Sequence, residues 1–170
     1  MVKTMETILE RRSIRKYTDQ VVAEDTVKEI VKAGMYAPSA GNQQSWEFII
    51  VRNKERLVEI TKVHPYSNML KEVSVAIVIC GNLEKEKFKD FWVQDCSAAT
   101  QNILLAAHAL GLGAVWLGVY PAAERVSGVK EILNLPENIL PLSIVPIGYS
   151  AEEKKSADRY NESSIHYEQW

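Results

Sequence analysis

The sequence contains few cysteines and histidines. Its two cysteines, Cys80 and Cys96, form neither a Cys-x-x-Cys pair nor a disulfide framework, which favours a reducing cytoplasm as the compartment. We expect both thiols to be buried in the core rather than redox-active. The three histidines, His64, His108 and His166, are far apart and lack carboxylates at ligand spacing, which argues against a metal site.

Several functional classes lack their usual sequence signals. The formal net charge is −2 with intermixed signs, so the basic surface typical of nucleic-acid binding is not expected. No apolar run approaches the roughly 18 residues of a membrane span, and the N-terminus lacks a signal peptide, so we expect a soluble protein. No Gly-x-Gly-x-x-Gly, Walker or Gly-x-Ser-x-Gly motif is present, which removes support for dinucleotide-fold, P-loop and hydrolase chemistry.

The hydrophobic residues that are present predict one domain over residues 1–170. They make up 46 % of the chain, which is enough for a substantial core. Their spacing predicts helices over 4–12, 25–35, 55–62, 92–110 and 123–133, and strands over 47–52, 73–80, 114–120 and 142–148. Because helices and strands do not alternate strictly, the pattern favours an α+β fold whose sheet has helices on both sides.

Two helices carry specific expectations. Thr4 can cap the first helix, whose buried stripe would be formed by Met5, Ile8 and Leu9. In the helix 92–110, the spacing predicts a second apolar stripe, and Asp95 does not lie on it. The stripe comprises Cys96, Ala99, Ile103, Ala106, Ala107 and Leu110. The alanines of this helix fit either close contact with a helix of a second chain or simply good helix propensity.

The strands and the tail also carry expectations. The apolar run 73–80 predicts a central strand that is buried on both faces. Gly118 would interrupt the third strand and invite close approach by a ligand, and Pro146 would lie at an edge or a bulge because it cannot donate to a ladder. The apolar side chains of the polar tail are expected to dock on another surface: Ile165, Tyr167 and Trp170.

Residues 37–46, which we call the polar loop, concentrate hydrogen-bonding side chains between two apolar elements. Pro38 and Gly41 prevent a helix from continuing into the loop. Its hydroxyls and amides are neutral at every ordinary pH, which suits a polar heterocycle as ligand; they belong to Ser39, Asn42, Gln43, Gln44 and Ser45.

A second group of candidate ligands is the arginine segment, residues 11–15. Arg11, Arg12, Ser13 and Arg15 place three guanidiniums and a hydroxyl near a helix end, which suits a phosphate dianion. The same cations could instead only complement the dipole of that helix. Together with the polar loop, the segment fits a cofactor with a phosphate at one end and a flat polar ring at the other.

Five motifs, in order along nearly the whole chain, make the sequence resemble the nitroreductase family of FMN-dependent oxidoreductases. They are Arg11-Arg-Ser-Ile-Arg15, Ala37-Pro-Ser-Ala-Gly-Asn-Gln-Gln-Ser-Trp46, Leu110-Gly-Leu-Gly-Ala-Val-Trp-Leu-Gly118, Leu135-Pro-Glu and Val145-Pro-Ile-Gly-Tyr149. The resemblance implies a mixed, largely antiparallel sheet flanked by helices, in an intertwined homodimer with two FMN sites at its interface.

The resemblance also implies which residues bind FMN. Arg11, Arg12, Ser13 and Arg15 would contact the phosphate, ribityl chain and ring edge, and Arg159 matches a phosphate-binding arginine of the tail. The chain departs from the family pattern just before Arg159, where Ala157 replaces a basic residue and Asp158 adds a negative charge. The other subunit would contribute Pro38, Ser39, Asn42 and Gln44. A backbone N–H of the segment Leu117, Gly118 and Val119 would meet the ring at N5, and Asn68 would lie near the ring.

By the same resemblance, the protein passes reducing equivalents from NADH or NADPH through FMN to a nitroaromatic, quinone or flavin acceptor by a ping-pong mechanism. FMN carries the chemistry and Arg15 tunes the ring, so no side chain acts as an acid or nucleophile. Three alternatives remain: a reductive dehalogenase, a flavin-consuming enzyme, and a flavin-binding protein without turnover. Residues 63–71 and 84–92 are the candidate lids of such specialised relatives.

Overall fold

The computed structural model describes residues 3–155 and 157–170, which form one antiparallel sheet with helices on both faces. The helices are α1 (Lys3–Glu10), α2 (Glu24–Met35), α3 (Lys54–Val63), α4 (Trp92–Ala109) and α5 (Ala123–Leu133). The strands are β1 (Trp46–Val51), β2 (Val75–Asn82), β3 (Gly113–Ala114), β4 (Leu117–Gly118) and β5 (Ile139–Gly148). Their order is β1-β2-β5-β3, and β4 also pairs with β5. The predicted α+β class and largely antiparallel sheet are confirmed.

The central strand β2 divides the core into two layers. Ile77 and Ile79 face the cluster that contains α2 and α4, whereas Ala76 and Val78 face the cluster of α3 and α5. All four side chains are fully buried. The predicted burial of this strand on both faces is therefore correct, and burying a side chain the size of isoleucine stabilises the fold by about 1.5–3 kcal/mol.

Both cysteines lie in the core, as the sequence predicts. Cys80 is on β2 and Cys96 on α4, and the Cys96 thiol donates to the carbonyl oxygen of Cys80 at 3.4 Å. Burial raises the pKa of the Cys80 thiol to about 12 and also raises the pKa of the Cys96 thiol. Because the thiolate is the reactive form, burial and the raised pKa values disfavour reaction of both groups at neutral pH.

The first helix differs from the prediction in two respects. Thr4 lies inside α1 rather than before it, so it is not the N-cap. Met5, Ile8 and Leu9 are 47 %, 45 % and 50 % exposed, so the expected buried stripe is wrong for the isolated chain. The helix packs on α4, and within the described part of the chain none of its residues is buried.

The longest helix, α4, buries most of its predicted stripe. Cys96, Ala99, Ile103 and Ala107 are fully buried, but Leu110 follows the end of the helix and is 41 % exposed. Among the described residues, no helix has the combination of length and hydrophobicity needed to cross a bilayer.

The third predicted strand breaks at a different place from the one expected. It is interrupted at Val115 and Trp116, between β3 and β4, rather than at Gly118. Pro146 is neither at a sheet edge nor at the bulge, because β5 lies between β2 and the pair β3 and β4, and the bulge is opposite Ile79 and Cys80. It lies instead opposite the break, where β5 has no paired residue on that side. The missing N–H of proline therefore removes no ladder bond there.

The tail leaves its apolar side chains exposed in the isolated chain. Trp170 is fully exposed, and Tyr167 and Ile165 are 84 % and 42 % exposed. Trp170 stacks on the ring of His166, with centroids 4.2 Å apart. The predicted docking of these residues is therefore not seen within one chain.

Candidate functional site

The arginine segment is held along the short strand β3. The N–H of Ile14 donates to the carbonyl oxygen of Ala114 at 3.0 Å, and Ser13 forms a parallel bridge to the same residue. Ile14 packs so closely on Gly113 that a Cβ there would lie 2.7 Å from it. Glycine at this position therefore lets the segment cross the strand at contact distance.

Arg11, Arg12 and Arg159 form a cluster of like charge, brought together from the two ends of the chain. The pKa of the Arg11 guanidinium is lowered, first by burial and then by the charges of Arg159 and Arg12. Within the part of the chain that the structure describes, buried Arg11 Nε and Arg12 Nη2 have no hydrogen-bond partner. Unsatisfied donors among like charges favour an anion with several oxygens, such as a phosphate.

Other atoms of this region are already engaged. Arg12 donates from Nε to the carbonyl oxygen of Lys155 at 3.1 Å and from Nη1 to that of Arg11 at 2.7 Å. The backbone N–H of Arg15 donates to the Glu152 carboxylate at 2.6 Å, and this bond lowers the pKa of that carboxyl. The guanidinium of Arg15 is exposed, so it can reach a ligand outside the cluster.

The polar loop separates its side chains into two sets. Ser39, Asn42 and Gln44 are accessible, and Pro38 is exposed beside them. The first three are linked to each other, because Gln44 donates from its backbone N–H to Ser39 Oγ and from Nε2 to Asn42 Oδ1. The accessible set contains the four loop residues predicted to contact FMN.

The second set points inward and is held by Asp95, which the prediction placed outside the buried stripe. Gln43 and Ser45 are 6 % and 0 % exposed, and Asp95 is 3 % exposed. Its carboxylate accepts from Ala40 N–H at 2.9 Å, from Gln43 Nε2 at 2.7 Å and from Ser45 Oγ at 3.3 Å. The spacing contained a signal for this burial, since Asp95 precedes Ala99 by four residues and so shares its helix face.

Gly118 supplies the third part of the site. The N–H of Val119 donates to the carbonyl oxygen of Leu142 at 2.9 Å, so the alternation of an antiparallel ladder turns the N–H and C=O of Gly118 away from β5. A Cβ built on Gly118 meets nothing within 4 Å, so open space lies on that side. Of the predicted segment, Leu117 and Val119 are buried in the core.

Two residues that the prediction did not include hold the carbonyl oxygen of Gly118. It accepts from His64 Nε2 at 2.9 Å and from Arg125 Nη1 at 2.9 Å. Because a carbonyl oxygen can only accept, Nε2 of His64 carries the proton and Nδ1 accepts from the N–H of Tyr66 at 3.3 Å. Burial is the main cause that lowers the pKa of His64, and the charge of Arg125 lowers it further.

Asn68 begins a short helical turn four residues after His64 and is exposed. The same segment carries Tyr66, whose ring lies under the guanidinium of Arg125 with the carbon 5.4 Å from the centroid. The sequence offered no motif for His64 or Arg125, because both contact a backbone atom, which leaves no residue-type signal, and His64 lies 54 residues from it along the chain.

The structure therefore arranges the predicted residues in three groups. Arg159 joins the arginine segment, the polar loop is attached to α4, and Gly118 lies beside α3 and α5. Each group is accessible at the surface of the chain. The homodimer implied by the resemblance would bring groups from two subunits together into one site.

Comparison with known proteins gives this arrangement a family. The sequence profile described as the nitroreductase family matches residues 8–64 and 57–149. The chain belongs to the nitroreductase family. A protein of Methanothermobacter thermautotrophicus with the provisional name NADH dehydrogenase/NAD(P)H nitroreductase is 50 % identical over 166 residues, which cover 98 % of this chain and 87 % of that protein.

Solved structures agree with this nitroreductase assignment. A provisionally named NADH dehydrogenase/NAD(P)H nitroreductase from Parabacteroides distasonis superimposes with a TM-score of 0.97 at 43 % identity, over 100 % of both chains. A provisionally named nitroreductase from Desulfovibrio desulfuricans, solved in complex with FMN, gives a TM-score of 0.87 at 30 % identity, over 100 % of this chain and 99 % of that one. The predicted family is thus confirmed.

Proposed function

We propose that this protein passes reducing equivalents from NAD(P)H through FMN to a small acceptor, a nitroaromatic, a quinone or a flavin, by a ping-pong mechanism. The coarser statement, that it is an FMN-dependent NAD(P)H oxidoreductase, follows from its family and from relatives named for that activity. The observation that carries the proposal is the cluster of Arg11, Arg12 and Arg159 with its unsatisfied buried donors, because a phosphate-bearing cofactor would satisfy them.

Each group of residues has a distinct role in this proposal. Arg11, Arg12, Ser13 and Arg159 bind the FMN phosphate, and Arg15 reaches the ring edge, where positive charge stabilises the reduced ring. Gly118 offers its N–H to the ring, and Asn68 lies near it. When bound, FMN would supply the redox chemistry between NAD(P)H and the acceptor, while these residues hold and orient it. The protein needs no acid or nucleophile of its own for this chemistry.

The proposal requires a homodimer in which the partner subunit contributes the polar loop, through Pro38, Ser39, Asn42 and Gln44. Two surfaces of the isolated chain support this requirement. The apolar face of α1 is uncovered, and an open groove of about 470 Å³ lies between α1, α2 and α4, lined in part by Ile8, Tyr36 and Leu105. The exposed tail aromatics supply a second surface. Exposed apolar patches of this kind are typical of subunit interfaces.

The deciding experiment is an absorption spectrum of the purified protein followed by anaerobic titration with NADH and NADPH. We expect bound flavin that is bleached by at least one nucleotide and recovers its colour on addition of a quinone or nitroaromatic. Initial rates at varied donor and acceptor should give parallel double-reciprocal lines, whereas intersecting lines would contradict the ping-pong order. Flavin that neither nucleotide reduces would indicate a carrier, and failure to take up FMN would overturn the proposal.

A further inference from the structure

The buried pair Asp95 and Gln43 connects three parts of the chain that are separate in sequence. Asp95 belongs to α4, Gln43 to the polar loop, and the residues that contact Gln43 on its other side belong to the connector, which is residues 84–90. We propose that Asp95 and Gln43 are positioning residues that hold the polar loop in its FMN-binding conformation and attach the connector to it. This inference rests on the proposed function, because that function assigns the polar loop to FMN.

The carboxylate of Asp95 is the anchor of the loop. It is 3 % exposed and accepts from three donors, all of which belong to residues 40–45. Burying a carboxylate without a cation carries a large desolvation cost, so a hydrophobic residue would suit mere packing better. The charge is matched instead to the donors of one loop, which fixes the backbone of Ala40 and the side chains of Gln43 and Ser45.

Gln43 transmits this anchoring to the connector. Its Nε2 donates to Asp95, and its Oε1 accepts from the backbone N–H of Lys87 at 2.8 Å and of Phe88 at 3.1 Å. A second contact strengthens the link, since the Phe88 ring lies so close to Gly41 that a Cβ there would overlap it. Gly41 also has a φ of +51°, a conformation that favours glycine. The connector is therefore bound to the polar loop at two points.

The donors and acceptors of this chain allow only one orientation of the Gln43 amide. With Asp95→Asn, the new amide N–H₂ must face either Nε2 of Gln43 or the N–H of Ala40, and both of these groups donate. Flipping Gln43 to accept from the new amide would turn its own N–H₂ toward the N–H groups of Lys87 and Phe88. At least one hydrogen bond that holds the polar loop or the connector is therefore lost in every orientation. With Gln43→Glu alone, two carboxylates would meet where the present bond is 2.7 Å long, which costs at least as much.

Combining the two substitutions restores the pattern. In the double variant D95N/Q43E, the carboxylate belongs to residue 43 instead of residue 95. There it accepts from the introduced amide at position 95 and from the N–H groups of Lys87 and Phe88 in the connector. The remaining amide oxygen at position 95 still accepts from Ala40 N–H, and the Ser45 hydroxyl, which can accept as well as donate, takes the second N–H of the new amide. A residue that only fills space would show no such reciprocal rescue, because each substitution, Asp to Asn and Gln to Glu, keeps nearly the same side-chain volume.

The test compares wild type, D95N, Q43E, the double variant and the control Gln101→Ala, which alters an exposed residue of α4. Amide hydrogen exchange is measured on the full chain without added FMN, at residues 39–46 and 86–89, and FMN affinity is measured by fluorescence titration. We expect each single variant to exchange faster in both segments and to bind FMN at least about tenfold more weakly, which corresponds to one broken buried hydrogen bond. The double variant should return to within about threefold of wild type, and Q101A should match wild type.

Two results would overturn the inference. One is wild-type exchange and FMN affinity in a folded D95N variant, and the other is a double variant no better than the single variants. Should D95N fail to fold, recovery of folding and loop protection in the double variant supports the inference and continued failure overturns it. The exchange measurements need no flavin, so a chain that binds no FMN would refute the proposed function while the coupling of loop and connector was still decided.

Discussion

The Nε2 atom of His64 lies 2.9 Å from the carbonyl oxygen of Gly118, and Arg125 donates to the same oxygen from α5, which packs in the same layer as α3. His64 is 1 % exposed and follows α3 directly. The carbonyl oxygen of Gly118, on the strand β4 beside the proposed flavin site, is therefore held by a residue that follows α3 and by a residue of α5. Its donors are a neutral ring and a charged guanidinium, which differ in their response to pH.

Acidification should destabilise the protein through His64. Burial lowers the pKa of this ring below the ordinary value of about 6.5, so the unfolded chain binds more protons than the folded chain just below that pH. The free energy of unfolding should therefore fall as pH drops from about 6.5 toward the folded-state pKa, with a slope of at most about 1.4 kcal/mol per pH unit. Urea unfolding of wild type and His64→Gln at several pH values measures this. Parallel pH profiles for the two proteins would contradict the prediction.

His64 and Arg125 should show coupled effects on stability. His64→Ala removes a buried ring and one donor and should cost about 2–4 kcal/mol, whereas Arg125→Ala should cost about 1 kcal/mol because the second donor remains. The double variant should lose at least about 0.5 kcal/mol more than the sum, since the Gly118 oxygen then has neither donor. Urea unfolding of the four proteins gives the coupling. His166→Ala, in the exposed tail, serves as control, and simple additivity would argue against a shared acceptor.

Gly118→Ala should separate cofactor binding from folding. The added methyl group meets no atom within 4 Å, so stability without FMN should stay within about 0.5 kcal/mol of wild type. The same methyl would occupy the space assigned to the flavin ring and should weaken FMN binding at least about tenfold. The matched substitution Gly113→Ala meets Ile14 at 2.7 Å and should lower stability with or without FMN. Unchanged FMN affinity of G118A would place the ring elsewhere.

Arg159→Ala should have different effects on the two forms of the protein. Without FMN, removing a charge that repels Arg11 should leave the melting temperature unchanged or higher. With FMN, loss of a charge-assisted bond to the phosphate should lower affinity about tenfold, and added salt should reduce the difference. Thermal melting and fluorescence titration measure both effects. Lys62→Ala, an exposed cation on α3, is the control, and equal FMN affinity in the two variants would remove Arg159 from the phosphate site.

Ile8→Glu should dissociate the proposed homodimer and release its cofactor. Ile8 is 45 % exposed in the isolated chain and borders the groove between α1 and α4, so a charge there would be buried unpaired in an interface. Sedimentation should show a shift from dimer to monomer, and gel filtration should show flavin leaving the protein. Glu10→Gln, on the same helix, is the control. A dimeric variant with full flavin would place the interface elsewhere.

The sequence predicted the elements of the fold because their periodicity reflects burial within one chain. The run that became β2 alternates between two core layers, and its uniform hydrophobicity predicted both. The stripe of α1 follows the same rule, yet Met5 and Leu9 are about half exposed, because periodicity shows that a face is apolar without showing which chain covers it.

The sequence could nominate ligand-binding residues where binding depends on residue type within a short segment, as in residues 11–15 and the accessible half of the polar loop, and these assignments stay predictions. Asp95, His64 and Arg125 were missed because their partners are backbone and amide groups that lie 50 or more residues away in two of the three cases. A long-range bond to a backbone or amide group leaves no pattern in the local sequence, and only the packing of helices and loops in the folded chain brings these groups together.

The break between β3 and β4 has a consequence for solubility. An interior strand that lacks a neighbour over two residues could accept a strand from another molecule and so begin an aggregate. Here Pro146 has no N–H to offer, and its carbonyl oxygen lies 3.4 Å from the hydroxyl of buried Tyr17, which donates mainly to the carbonyl oxygen of Ile14 at 2.6 Å. The gap in the sheet is thereby closed by a side chain, so the protein can interrupt its third strand beside the proposed cofactor site without exposing a template for misassembly.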